Sequence, residues 1–270
     1  FELASRACSN KKSNNNEGGS RRYDAILFDL DGTLLDTLGD LHAAVNYALE
    51  AYGQPKRSLE EVRGFVGNGV SKLMERSIPG GRECVTFSEE LEAFSEYYLS
   101  HIAVFTKPYD GIYEMLDTIT AAGIQAAVVS NKLQSGVDEI RAMYLSDWID
   151  TALGDDPKLH PTKPSPHIVA MALQRLFSDT AAAVEKQLDI SGKEIGQLDE
   201  KVIKRYIGEI TKYHPTLYVG DSLTDAATAE NSGLDYILCS WGFRPREELL
   251  GANALIVADH PSYIISNLNI

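Results

Sequence analysis

Two aspartates separated by a single leucine, Asp29 and Asp31, interrupt the segment "AILFDLDGTLLDT" at residues 25–37. Neighbouring carboxylates at the end of an apolar run repel each other, so the pair calls for a cation or for a carboxylate that reacts. Further along stand Ser130 and Asn131 in "VVSNK", Lys163 in "PTKPSP", and Asp221 with Asp225 in "GDSLTD". Carboxylates without an attendant His or Cys cluster make a hard oxygen-ligand set suited to Mg²⁺. A hydroxyl, an amide and one ammonium are the donors and counter-charge that a phosphoryl group requires. Aspartate itself can supply the nucleophile, forming an aspartyl-phosphate.

The elements that must position these groups are legible as short apolar runs bounded by Gly, Asp, Asn or Ser. Residues 23–28, 124–130, 216–220, 236–240 and 254–258 read as buried strands. Between them lie helical patterns such as "GIYEMLDTITAAG", with Ile112, Met115, Leu116 and Ile119 on one face and Gly123 as the stop. Alternating strands and helices predict an α/β fold with a parallel sheet covered on both faces. In such sheets ligands bind beyond the carboxyl ends of the strands, where the residues named above fall.

From Thr37 to Phe105 the pattern is helical with no convincing strand, and Ser58 with Glu61 and Thr86 with Glu89 have capping-box spacing. This block is expected to be a separate helical cap, residues 37–105, inserted into a core of residues 23–36 and 106–270. Asp36 and Thr37 are expected to be its hinge and helix cap, and Tyr97 and Tyr98 to pack it. Residues 178–214 form a long detour, in which Ile195, Leu198, Val202, Tyr206 and Ile210 mark an amphipathic helix, and Val184 and Leu188 another. A helical hairpin is expected there. If it is an accessory, residues 180–212 should be removable without loss of chemistry. No fixed-period repeat is present.

The 270 residues can bury a substantial core, and 44% hydrophobic with 24% charged residues is ordinary for a globular protein. No apolar run reaches the roughly 20 residues needed to span a bilayer. A net charge of −14 argues against a nucleic-acid partner, although a metal ion and a few donors can reverse the potential inside one cleft. Cys8, Cys84 and Cys239 lie far apart without metal or disulfide spacing, so a reduced cytoplasm is expected. Residues 1–22 lack the apolar core of a secretory signal and read as a flexible tail. His42, His101, His160 and His167 have no metal-like spacing and are expected to be structural or exposed.

In this order, "DLDGTLLDT", "VVSNK", "KPSP" and "GDSLTD" resemble the four motifs of the haloacid dehalogenase superfamily, in its phosphatase branch. The resemblance covers residue 23 to the C-terminus apart from the 178–214 detour. It implies a Rossmann-like core, an α-helical cap inserted after the first strand, and Mg²⁺-dependent phosphoryl transfer. It further implies that Asp29 is the nucleophile and a metal ligand. Asp31 would be the general acid and base, its backbone carbonyl a further ligand. Ser130 and Lys163 would hold the phosphoryl oxygens with Asn131 assisting, and Asp221 would be the metal-binding acid. Asp225 is left open between a direct ligand, a water-mediated ligand and a partner orienting Lys163. Gly32 and Thr33 are expected to turn the chain out of the strand.

Within that superfamily, "VRGFVGNGVSKLMERSI" and "DTLGDLHAAVNYAL" resemble the cap of bacterial phosphoglycolate phosphatases, which implies a small phosphorylated metabolite, 2-phosphoglycolate, as substrate. Gly67, Asn68 and Gly69 form either an anion-meeting loop or an ordinary turn, and Arg63 faces either a substrate carboxylate or solvent. A β-phosphoglucomutase-like enzyme would carry a cap-helix His where this chain has Leu41, with His42 one residue off. A broad-specificity sugar-phosphate phosphatase is the other enzymatic alternative. Asp31 disfavours a dehalogenase, and no apt cap Lys supports a phosphonatase. An alternative of another class is an interaction or regulatory protein using 178–214; monomer and homodimer both stay open.

Overall fold

The computed structural model describes residues 23–268. The expected tail, with Cys8, lies outside the described residues. Five runs become parallel strands, namely β1 (Ala25–Phe28), β4 (Gln125–Leu133), β5 (Thr151–Asp155), β6 (Thr216–Gly220) and β7 (Asp235–Cys239), with a two-residue β8 (Val257–Ala258) at one edge. Two short strands, β2 (Leu35–Asp36) and β3 (Lys107–Pro108), pair antiparallel outside this sheet. The main sheet runs β5-β4-β1-β6-β7-β8, all parallel. Chain order diverges to either side of β1, so the carboxyl end of β1 is the switch point where such sheets bind ligands.

Three details depart from expectation. β5 carries little sequence signal because Thr, Gly and Asp dilute its five residues, and as an edge strand it needs no strong apolar pattern. The strand expected over 254–258 shrinks to Val257–Ala258, again at an edge. β4, by contrast, runs on to Leu133, with a register shift against β5 between Val129 and Leu133.

Between β2 and β3 stand the four cap helices, α1 (Leu38–Ala51), α2 (Leu59–Phe65), α3 (Val70–Ser77) and α4 (Phe87–Ser100). Ser58 and Glu61 form the expected capping box. Thr86 and Glu89 do not. Thr86 has φ −100° and ψ 10°, not the extended backbone a cap needs, and its hydroxyl donates instead to the buried Glu90 at 2.7 Å. Thr37 precedes α1 without a side-chain cap, and the Asp36 carboxylate accepts from the Leu38 N–H at 3.2 Å in its place. The entry and exit of the cap are tied by Asp40, which accepts from the N–H groups of Phe105 and Thr106 and from the Thr106 hydroxyl.

The core helices are α5 (Ile112–Ala121), α6 (Gln134–Tyr144), α7 (His167–Leu176), α8 (Ser178–Gln187), α9 (Glu200–Thr211), α10 (Leu223–Ser232), α11 (Arg246–Leu249) and α12 (Ser262–Ser266). Ile112, Met115, Leu116 and Ile119 of α5 are buried, in keeping with their spacing. In the detour, α9 starts at Glu200 under the Asp199 cap, and Ile195–Gln197 forms a separate 3₁₀ turn, so the expected helix is shorter. α9 buries Ile203, Tyr206, Ile207 and Ile210 among α7, α8 and α10 and belongs to the apolar cluster covering one face of the sheet. The detour is therefore a wall of the core, which speaks against its being a removable accessory.

The histidines do structural work. His42 lies within 3.0 Å of the Arg57 carbonyl, His160 meets the Gly154 and Pro161 carbonyls, His167 bridges Ser165 to Leu198, and His101 stacks on Tyr97. Among the described residues no helix is long and apolar enough to cross a membrane.

Candidate active site

Asp29 is the first residue past β1, and its N–H still bonds the Val219 carbonyl at 2.9 Å, so the sheet ladder holds its backbone. Its carboxylate lies 2.9 Å from the Lys163 ammonium. Lys163 reaches in from the loop before α7, buried, and donates also to Asp225 Oδ1 at 2.8 Å, to the Val129 carbonyl at 3.1 Å and to the Tyr218 hydroxyl at 3.2 Å. Burial works against this ammonium, yet Asp225 and Asp29 outweigh it and hold its pKa well above the usual value.

Asp221 follows β6 and accepts from the Phe243 N–H at 2.6 Å. The chain closes tightly around it. A Cβ on Gly32, whose φ is +87°, would lie 2.3 Å from Asp221 Oδ2, and one on Gly242 would lie 2.4 Å from the same oxygen. Neither position has room for a side chain. Burial first, then Asp225 and Asp29, push the Asp221 pKa well above the carboxylate range. Asp29 is pushed up to about 7, again by burial and then Asp225, against the pull of Lys163.

One carboxylate oxygen from each of Asp29, Asp221 and Asp225 lies within 4.8 Å of the others, and all three residues are buried. With Asp31, four carboxylates face two buried ammonium groups, Lys132 and Lys163. The deficit of positive charge and the all-oxygen donor set fit a divalent cation of the Mg²⁺ type. Of the three positions left open for Asp225, the one seen is that of a partner to Lys163. Its Oδ1 accepts from Lys163 and from Tyr218, and its Oδ2 from the Ser222 hydroxyl at 2.6 Å in a capping box at the start of α10.

The Asp31 side chain stands apart from this cluster. Its Oδ1 lies 3.1 Å from the ammonium of Lys132, which also donates to the hydroxyl of Tyr98 on α4. Sequence reasoning misses Lys132, although it closes the "VVSNK" segment; two residues past Ser130 on a strand, it shares that side of the sheet. Tyr98, expected only to pack the cap, lines the pocket as well. Tyr218 is missed too, and the available signal is a phenol within a buried strand, where its hydroxyl must find a partner.

Ser130 is buried inside β4 and lines the pocket, with its hydroxyl accepting from the Lys132 N–H at 3.2 Å. The residue preceding α6 is Leu133, so Ser130 is not a helix cap. Asn131 holds the Lys163 backbone at both ends, accepting from its N–H at 2.8 Å and donating to its carbonyl at 3.2 Å. Its amide thereby fixes the lysine, and Asn131 lines the pocket as well.

From the cap, Gly67, Asn68 and Gly69 line the opposite side of the pocket with φ values of 115°, 64° and 84°. Asn68 donates to the Thr224 hydroxyl at 3.1 Å, and Arg244 donates to the carbonyls of Gly64 and Val66, so two contacts seat this loop on the core. Arg63 is not among the pocket residues. It lies on α2, half-buried, with its Nε 3.6 Å from Glu60, and that nitrogen is buried without a hydrogen-bond partner. Arg244, which does line the pocket, carries no sequence signal, because only the fold brings the loop after β7 against α2. Leu41 also lines the pocket, while His42 is turned to Arg57.

Comparison with known proteins identifies what the chain is similar to. A family model described as haloacid dehalogenase-like hydrolase matches residues 26–185. The phosphoglycolate phosphatase of Cereibacter sphaeroides strain ATCC 17029 is 32% identical over 223 residues, covering 81% of this chain and 86% of that protein. The phosphoglycolate phosphatase of Thiobacillus denitrificans is 33% identical over 147 residues, spanning 53% of this chain and 64% of that one. A crystal structure of a protein from Lactobacillus delbrueckii subsp. bulgaricus superposes with a TM-score of 0.73 at 26% identity, covering 92% of this chain and 98% of the other.

Proposed function

We infer that this chain, which belongs to the haloacid dehalogenase-like hydrolase family and is a phosphatase, hydrolyses a small phosphomonoester through an aspartyl-phosphate on Asp29, with 2-phosphoglycolate as the substrate. The observation that carries the reading is the carboxylate of Asp29 at the switch point of the sheet, 2.9 Å from a buried lysine and beneath a cap loop.

In the first step an Asp29 oxygen attacks phosphorus and the bond from phosphorus to the ester oxygen breaks, while Asp31 gives that oxygen a proton. In the second, Asp31 takes a proton from water as the water attacks the aspartyl-phosphate, releasing phosphate and restoring Asp29. Lys163 and Ser130 hold the equatorial phosphoryl oxygens, where fixed donors stabilise the developing charge. Asp29, the Asp31 carbonyl and Asp221 are the groups that would hold Mg²⁺. When bound, the ion offsets the charge of the phosphoryl group and of the carboxylates around it. Asp225 and Asn131 keep Lys163 in place. The loop of Gly67, Asn68 and Gly69, seated by Asn68 and Arg244, excludes bulk water from the reaction.

The leaving-group choice rests on the relatives named above and on Arg244, a cation lining the pocket and suited to a second anionic group. The mutase reading loses support because Leu41 stands at the pocket and His42 does not. A panel of 2-phosphoglycolate, hexose phosphates and nucleotides, scored by kcat/KM, tests the substrate. A preference for 2-phosphoglycolate of about tenfold or more is expected, since a site with fixed polar groups rejects ligands that leave them unpaired. Comparable weak rates on every ester would instead identify a broad-specificity phosphatase, and no turnover of any would point to an interaction protein. EDTA should remove the activity and added Mg²⁺ restore it; full activity in EDTA would remove the cation from the reading.

A further inference from the structure

We propose that Lys132 and Tyr98 are a positioning pair that holds the Asp31 carboxyl on the leaving-group side of the site and makes its placement depend on the seating of α4 upon the core. The inference rests on the reading of Asp31 as acid and base.

The two residues come from different parts of the molecule. Lys132 lies near the end of β4 in the core, and Tyr98 lies in the last helix of the cap. Both are almost fully enclosed, at 5% and 2% exposure. An ammonium taken out of water is tolerated only where its protons find partners. Lys132 finds two side chains: Asp31 Oδ1 at 3.1 Å, and the Tyr98 hydroxyl, with the Tyr98 ring centroid 4.5 Å from the nitrogen. The stem of the lysine is also confined. A Cβ on Gly136 of α6 would lie 2.9 Å from Ile102 Cδ1 and 3.4 Å from Lys132 Cε, so the stem packs beside α6 and the chain leaving the cap. Lys132 thus has one orientation set by packing and two hydrogen bonds that use it.

The consequence falls on Asp31. The site holds two ammonium groups, and the Lys163 centre already binds Asp29 and Asp225. A third carboxylate drawn toward Lys163 would join the metal-type cluster and lose its access to the ester oxygen. Lys132 draws it the other way, and the Asp31 side chain is indeed outside that cluster. Among the described residues, Tyr98 is the only cap side chain that hydrogen-bonds Lys132. When α4 lifts, the lysine loses that partner and its single orientation, and Asp31 loses its anchor. Proton transfer is thereby reserved for the closed cap.

The test compares two leaving groups. An alkyl phosphomonoester that the wild-type protein turns over needs a proton on its departing oxygen, whereas p-nitrophenolate departs without one. Tyr98→Phe keeps the ring and removes only the hydroxyl. It should lower kcat on the alkyl ester about tenfold, and Lys132→Met about a hundredfold, a share of what a positioned acid contributes. KM should stay within about twofold, because the pair acts in the transition state more than in binding. First-turnover release of p-nitrophenolate from p-nitrophenyl phosphate should stay within about twofold in both variants, as no acid is used in that step. Equal losses on the two esters, or a change confined to KM, would overturn the proposal in favour of a packing role. Asp31→Asn, measured alongside, separates the layers. If it too fails to discriminate between the esters, the acid reading falls and this inference with it. If it discriminates while Tyr98→Phe and Lys132→Met do not, the inference alone falls.

Discussion

Asp29→Asn is expected to reduce turnover of any phosphomonoester to below a few per cent of wild type, because an amide oxygen cannot form the acyl-phosphate that splits the reaction into two steps. Retention of more than that in steady-state assays would remove Asp29 as nucleophile. The same substitution is expected to stabilise the metal-free fold at pH 8. The Asp29 pKa of about 7 lies above its ordinary value of 3.8, raised by burial and by Asp225. The folded chain therefore binds a proton that the unfolded chain has released between those values, and stability falls as pH rises through that window. Above pH 7 the penalty is fully present in the parent and absent in the Asp29→Asn variant. A gain of about 3 °C or more in Tm, measured in EDTA at pH 8, follows for a chain of this size. The gain should shrink toward pH 4, where the parent carboxyl is neutral in the fold. A variant less stable than the parent at pH 8 would show that the ion pair with Lys163 outweighs the repulsion.

Removing residues 180–212 is expected to abolish the fold. The segment carries Ala181, Val184, Ile190, Ile195, Ile203, Tyr206, Ile207 and Ile210 into the apolar cluster on one face of the sheet. Deleting a single large member of such a core costs about 2–5 kcal/mol, against a total stability of roughly 5–15 kcal/mol for a typical domain. The deletant should show no cooperative transition in thermal or urea unfolding followed by circular dichroism. A soluble, cooperatively unfolding deletant that still hydrolyses p-nitrophenyl phosphate would restore the view of the detour as an accessory. Ile207→Ala provides the graded version: a loss of about 2–4 kcal/mol in urea unfolding, with kcat unchanged because α9 is not among the pocket residues.

The detour shows where periodicity misleads. Its apolar spacing identifies a helix correctly, but spacing reports that a face is buried and not against what, so a hairpin on the surface and a wall of the core look alike. The start of α9 is displaced from expectation because Ile195 is buried and Leu198 half-buried through a 3₁₀ turn and a loop while holding helical spacing by coincidence. The Thr86–Glu89 box fails for a related reason: the residue types are right, but the backbone at Thr86 is not extended, and the buried Glu90 takes its hydroxyl. Ser58 and Glu61, on an exposed turn where Arg57 meets only the other Glu61 oxygen, form the box their types predict.

The site divides along the same line. Asp29, Ser130 and Asp221 are legible because each lies at or near the end of a strand that its own neighbours specify, and parallel sheets deliver strand ends to one edge, whereas Lys163 is legible only through its "KPSP" segment. Asn131 and Asp225 are legible as polar groups but not as supports of Lys163, since that role is a distance between residues far apart in the chain. Lys132, Tyr98, Tyr218 and Arg244 emerge only from the folded molecule.

The sequence by itself determined the strands, the oxygen-rich chemistry at their ends and the helical block inserted after the first of them, because alternation of apolar runs and the types of the flanking residues are local properties. Tertiary structure decided which of two lysines each acid meets, that the cap rests on the core through Asn68, Arg244 and Tyr98, and that the long detour is part of the core. Those are matters of burial and charge pairing between distant segments, and an ammonium or a carboxylate acquires its partner only when folding removes water from both.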